Sequence, residues 1–390
     1  MKKFLYLPLL GVLAFALSSC VSDDVEVREE YYYPEELAIM QQALNLPEKP
    51  MDYSVQLPNH LSRSGLFARQ VNRDMATLGR VLFYDQALSS TGEVSCASCH
   101  KQSLAFSDEK ASSDGVSGNQ TDRNSLALGS VASFAAYYGT DLFGTFGVPF
   151  MWDNRFGTAR EQARAAFINE KEMGMTIESL IGTISSRDYY APLFRRAYGS
   201  SEVTEERIMS AVAEFVDGLA SFGSKFDEAA EASTDGLNMA VNFSDFTTAE
   251  NRGKQIYLTN CSGCHSSVMG RPVLNSANNG LAMVYDDEGI GGFTLNDTEM
   301  YTFKVPTLRN VALSAPYMHD GSFESLEEVV DFYSDNVADH PRLHELLRDQ
   351  SGQPKRLNLD ADDKAALVAF LETLTDLDYL QEERYSDPFK

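Results

Sequence analysis

The 390 residues are enough for two domains with cores of their own, and a hydrophobic share of 43% is that of a folded chain. A formal charge of -25 argues against nucleic acid as a partner and against charge-driven binding to an anionic membrane; it suits a basic redox partner, and it also simply keeps a protein soluble.

The first nineteen residues read as a processing signal. Lys2 and Lys3 give a positive start, residues 4–16 an apolar run too short to span a bilayer, and Leu17-Ser18-Ser19-Cys20 closes it. That ending resembles the bacterial lipobox, which implies cleavage before Cys20 and a lipid on its thiol. The expectation is an exported protein of the periplasm or cell envelope that meets the membrane through this anchor alone. Residues 20–50 are acidic, without sustained periodicity, and read as a flexible linker with one short helix over 35–44. A first domain is expected over 51–244 and a second over 245–390.

In the first domain Leu78, Val81 and Leu82 form a helical face just ahead of Cys96-Ala97-Ser98-Cys99-His100. The next thirty residues are rich in Ser, Gly, Asp and Asn and read as loop. Ile208, Val212, Phe215, Leu219 and Phe222 recur at helical spacing and are core candidates. The second domain opens on a capping box, Thr247 with Glu250, whose helix runs into Cys261-Ser262-Gly263-Cys264-His265. Residues 269–297 are irregular. Near the end Asp360 caps a helix with the stripe Leu367, Phe370, Leu371 and Leu374. Helices dominate, and no later apolar run reaches the length of a spanning helix.

The two Cys-x-x-Cys-His motifs carry the chemistry. Each reads as the attachment site of a c-type haem, with two thiols for the vinyl groups and a histidine for the iron. A zinc site fits less well, because Cys99 and Cys261 lie in different halves of the chain and a histidine follows each pair. A redox dithiol fits less well for want of thioredoxin-like strands. Of five cysteines four belong to these motifs and the fifth is Cys20, so none is left for a disulfide.

The residues around the motifs resemble the bacterial di-haem cytochrome c peroxidase and MauG family over about residues 76–375. The likeness is carried by Leu78-Gly79-Arg80, Arg123-Asn124-Ser125, Trp152-Asp153-Asn154-Arg155, Glu172-Met173-Gly174, the run from Phe303 through Arg309 to Asn310, and Ala315-Pro316-Tyr317-Met318-His319-Asp320-Gly321. The resemblance implies a mainly α fold of two cytochrome-c-like helical domains, each with one covalent haem, and a calcium ion between them. It makes His100 the ligand of the peroxide-reactive haem and His265 that of the electron-transfer haem, and it sets Trp152 between them. Gln162 and Glu172 take the distal pocket, Glu172 as acid/base and Gln162 as the amide that orients peroxide. Without the resemblance Glu172 would read as an exposed helix carboxylate. Asn124, Ser314 and Pro316 match the calcium positions.

Two departures matter. Where peroxidases that need reductive activation carry a blocking histidine, this chain has Val116, and the loop 101–122 contains no histidine. Fourteen residues after His319, where a methionine ligand is usual, stands Tyr333, as in MauG-type members. Met269, Met283, Met300 and Met318 are the alternative ligands. His60, His340 and His344 read as surface or capping residues. The activity implied is reduction of hydrogen peroxide with electrons from a small cytochrome c or cupredoxin. The alternatives are MauG-like oxidation of a partner protein's side chains, and a carrier or haem sensor without catalysis.

Overall fold

The structure is a computed structural model and describes residues 31–135, 149–233 and 238–390. The proposed lipidation site Cys20 lies outside them. The fold is mainly helical, as expected; among the described residues the only sheet is the two-residue antiparallel pair Ser276–Ala277 with Phe303–Lys304. No described helix is long and apolar enough to cross a membrane.

Each half is built on one crossing of two long helices. In the first, Arg73–Tyr84 packs on Glu205–Asp217, and a Cβ at Gly79 would stand 1.9 Å from the Ala211 carbonyl oxygen. In the second, Thr248–Asn260 packs on Ala361–Glu372, and a Cβ at Gly253 would meet the Ala366 carbonyl at the same distance. Only glycine lets these backbones approach so closely. The sequence signals at the helix starts hold. The Thr247 nitrogen donates to Glu250 Oε2 at 2.6 Å and the Glu250 nitrogen to Thr247 Oγ1 at 3.2 Å, while the Asp363 nitrogen donates to Asp360 Oδ1 at 2.8 Å. Caps of this kind contribute about 1 kcal/mol each.

Among the described residues two large hydrophobic cores result, with a small third cluster of Phe332, Val337 and Leu343 against which Tyr333 and Met318 pack. Ile208, Val212, Phe215 and Leu219 lie in the first, as their spacing predicts. That core also takes in Tyr32, Met40, Leu44 and Leu46, together with Tyr379 and Tyr385 from the far end of the chain. The segment expected to be a flexible linker up to residue 50 is therefore packed from Tyr32 onward. It carries the helix Pro34–Met40, and the Asn45 nitrogen donates to the Pro388 carbonyl at 2.6 Å. Its apolar residues find a partner in the C-terminal tail, which no local pattern announces. The second core begins at Phe226, Ala229 and Ala230, ahead of the boundary expected at residue 244, and holds Leu367, Phe370, Leu371 and Leu374.

A buried polar cluster ties His60 and Ser221 of the first half to Asp227 and Arg309 of the second. The Arg309 guanidinium makes two bonds to Asp227, at 2.7 and 2.8 Å, and donates to the carbonyls of Ser221 and Met269. His60 is not on the surface. It is buried with Nε2 3.3 Å from Asp227 and its ring edge-on to Phe226. Burial pushes the Asp227 carboxyl up, but Arg309, His60 and Ser224 outweigh it and hold the group well below the usual carboxylate range. A depressed carboxyl stabilises the fold above its unfolded pKa and loses that contribution as the pH falls. Asp227→Ala, which strands a buried guanidinium, should cost roughly 3–5 kcal/mol at neutral pH. Urea denaturation would show this as a lower midpoint, with the gap to the parent closing in acid; an unchanged midpoint would remove the tie.

Candidate functional site

Both Cys-x-x-Cys-His motifs open into one cavity of about 1030 Å³. Cys96–Cys99 is a single helical turn started by a Ser95–Ser98 capping box, and Cys261 ends the helix Thr248–Asn260. His100 Nδ1 lies 2.9 Å from the Phe106 carbonyl and His265 Nδ1 lies 3.0 Å from the Pro306 carbonyl. A carbonyl only accepts, so each Nδ1 carries the hydrogen and each Nε2 keeps its lone pair for a metal. Burial lowers both imidazole pKa values and keeps the rings neutral.

The wall fits two haems. All four thiols line the cavity with the two imidazoles. The flanking surface is apolar, with Phe83, Leu128 and Val212 toward His100 and Val311, Leu326 and Leu367 among the residues of the other half. Arg123, Arg155, Lys304 and Arg309 also line it, the three arginines already paired with carboxylates of the chain.

On the His100 side the helix Ala159–Ile168 presents Gln162, Ala163 and Ala166 to the cavity. Beyond its end Glu172 faces the cavity as well, from an irregular turn and not from an exposed helix face. Asn169 Nδ2 donates to Glu172 Oε1 at 2.8 Å. Burial raises the Glu172 pKa, and the Asn169 bond opposes this with less effect. Asn169 escaped the sequence reading; its only signal was an amide three residues before the carboxylate. Val116 is buried, and its nitrogen donates to the Glu172 carbonyl at 3.0 Å. The loop lies tight against that turn, since a Cβ on Gly115 would fall 1.9 Å from the Lys171 oxygen.

Trp152 lines the wall and bonds to both halves. Its Nε1 donates to the Asn124 carbonyl at 2.9 Å, and its own carbonyl accepts from the Lys304 nitrogen at 2.7 Å. Arg123 bridges the halves below it, bonding Asp153 at 2.6 Å and Asp287 at 2.6 and 2.8 Å. Asn124, Ser314 and Pro316 line this same cavity. The Asn124 amide donates to the Lys110 carbonyl at 3.1 Å, which leaves its oxygen for a hard cation.

On the His265 side Tyr333 lines the cavity from a π-helical turn, Phe332–Asn336. Asn279 Nδ2 lies 3.3 Å from the Tyr333 hydroxyl and 3.5 Å from Met318 Sδ, so both candidate ligands meet one amide. Burial pushes the Tyr333 phenol up to about 12, a cost that a cationic metal would offset. Met269 is in the second core, Met283 is exposed and Met300 packs on Gly291; none of the three lines the cavity. His344 caps a short turn, accepting from the Leu346 nitrogen at 3.2 Å. With haem bound, Tyr333→Phe should change the absorption spectrum of one haem and leave the other as it was, whereas Met318→Leu should change neither. The reverse pattern would transfer the ligand role to Met318.

Comparison with known proteins gives one answer. The family model of the di-haem cytochrome c peroxidase matches residues 73–235, and that of cytochrome c matches 250–375. Cytochrome c551 peroxidase of Nitrosomonas europaea is 32% identical over 312 residues, covering 78% of this chain and 80% of its own. The methylamine utilization protein MauG of Methylorubrum extorquens is also 32% identical, over 79% and 80%. Among solved structures, a MauG-like protein associated with microbial copper homeostasis aligns at 30% identity and a TM-score of 0.65, covering 82% of this chain and 94% of its own. With two haem-attachment motifs facing one cavity, the chain belongs to the di-haem cytochrome c peroxidase and MauG family of c-haem oxidoreductases.

Proposed function

We propose that hydrogen peroxide is reduced at the His100 end of the cavity with electrons that arrive from the His265 end through Trp152. The observation that carries this reading is Glu172, a carboxylate whose pKa is raised by burial, held by Asn169 on the wall that also carries Gln162 and His100. Cys96, Cys99 and His100 would hold one haem, which would supply the iron that meets peroxide, and Cys261, Cys264 and His265 would hold the other, which would supply electrons.

The chain supplies the rest. Glu172 takes the proton from the near oxygen of peroxide and returns it to the departing oxygen, and the Gln162 amide holds the molecule in line. Two protons and two electrons per peroxide give two waters. Trp152 shortens the path between the two ends. Asn124, Ser314 and Pro316 would hold a calcium ion, and Tyr333 would be a ligand to the iron of the second haem. The first domain is thus the peroxide-reactive one and the second the electron-transfer one. The lipid on Cys20 tethers the exported protein in the periplasm or cell envelope.

Val116 and Tyr333 support a second reading for the same site, MauG-like oxidation of a partner protein in place of oxidation of a small cytochrome or cupredoxin. No histidine stands in the loop at Val116, so this loop would offer no second imidazole to a haem held by His100. Turnover with a reduced cytochrome, set against mass changes in candidate partner proteins, separates the two. A resting ferric protein with no high-spin signal in electron paramagnetic resonance would instead favour a carrier or sensor.

Glu172→Gln should lower kcat/KM for peroxide by about 10²–10⁴-fold with the resting spectrum unchanged. A base must be ionised to act, so the rate should rise with pH through a value above the ordinary carboxylate range. Asn169→Ala removes a bond that lowers this pKa and should move the rise to higher pH. Stopped-flow mixing with peroxide across pH reads both effects, and a rise that stays in place excludes Glu172 as the titrating group.

A further inference from the structure

Aromatic rings continue outward from Trp152, the single tryptophan of the chain. The Trp152 ring lies 6.4 Å from that of His319, and His319 is stacked on Phe303 at 3.7 Å and 20°. Tyr285 follows at 6.2 Å from His319 and 6.1 Å from Phe303. Tyr285 is in turn stacked on Tyr301 at 5.7 Å with 19° between the planes. Trp152, His319 and Phe303 line the cavity, whereas the two tyrosines stand outside it, half-buried beside exposed Met283 and Val284.

The fold holds this pair at some cost. Tyr301 has a φ of +63°, a region that costs a non-glycine residue on the order of 1 kcal/mol. Its nitrogen donates to the Glu288 carbonyl at 2.8 Å, and its carbonyl accepts from Asn278 Nδ2 at 2.7 Å. The Tyr285 hydroxyl accepts from the Ala282 nitrogen at 3.2 Å. His340 is buried with its ring 5.4 Å from each tyrosine and nearly perpendicular to both, and its Nδ1 accepts from the Arg342 nitrogen at 3.0 Å. The histidine without a role in the sequence is the wedge that fixes the pair.

Tryptophan and tyrosine are the side chains that most readily give up one electron and take it back. Tunnelling weakens exponentially with distance, so short ring-to-ring steps carry charge faster than one long step. We propose that Trp152, His319, Tyr285 and Tyr301 form a branch along which oxidising equivalents leave the cavity, making the Tyr285–Tyr301 pair a second oxidation site, for small phenols. The inference rests on the peroxide reading above. Asp286 and Glu288 are exposed next to the pair, so neutral or cationic phenols fit and anionic ones are repelled.

Tyr285 passes an electron inward to Trp152 and its phenolic proton to water, and Tyr301 refills it. A donor phenol at the surface then restores Tyr301 by giving up one electron and one proton. Two donor phenols thus become two phenoxyl radicals while one peroxide becomes two waters, with the released protons accounted for in the water formed.

The test uses the haem-loaded protein and one equivalent of hydrogen peroxide without added donor, freeze-quenched for electron paramagnetic resonance. The parent should give a tyrosyl signal that narrows when the protein carries ring-deuterated tyrosine. The double variant Tyr285→Phe/Tyr301→Phe, which keeps both rings, should lose that signal and its phenol oxidation while its haem absorption still responds to peroxide. A tyrosyl signal that survives in the double variant overturns the branch, as does its absence from a parent whose haems respond. Haems that do not respond in the parent defeat the peroxide reading and the branch with it. Should the double variant take up haem poorly, peptide mapping of the peroxide-treated parent decides: oxidation at Tyr285 or Tyr301 supports the branch, and oxidation confined to other residues removes it.

Discussion

A close helix-to-helix approach in each half is the constraint on which the site depends. Arg73–Tyr84 meets Glu205–Asp217 at Gly79, and Thr248–Asn260 meets Ala361–Glu372 at Gly253. Helices that touch at glycine leave no slack for sliding, so the residues that follow each helix are placed with little freedom. The Cys-x-x-Cys-His turns inherit that placement, and the carbonyls of Phe106 and Pro306 then set the rotation of each imidazole. Geometry flows from packing to coordination in both halves by the same route.

What joins the halves is different in kind. Arg309, Asp227, His60 and the Arg123 bridge are polar and charged, and most of them are buried. Such pairs add little over an apolar interface of equal size, but they fix orientation, because a carboxylate and a guanidinium satisfy each other in few arrangements. A cavity shared by two redox centres needs a fixed orientation more than it needs extra stability.

The sequence exposed what is local. Both haem motifs, the Thr247–Glu250 and Asp360 caps and the stripe from Ile208 to Leu219 depend on residues within a turn or two of each other, and they stand where their patterns put them. The features that escaped are contacts across long separations. The stretch from Tyr32 to Leu46 resembles a linker until Tyr385 and Pro388 are seen against it. His60 resembles a surface residue until Asp227, far along the chain, reaches it. Glu172 owes its raised pKa to burial in the folded chain, where the distant loop at Val116 bonds its carbonyl, and no neighbour in sequence announces that.

The turn that carries Tyr333 has a consequence for how such a protein changes. A π-helical turn holds one residue more than an α-helical one, so it can lose a single residue and close into an α-helical turn while the flanking segments keep their orientation. Met318 already waits at the same amide, Asn279. Deleting Tyr333 would then leave the Met318 thioether as the side chain beside that amide, with the rest of the wall untouched.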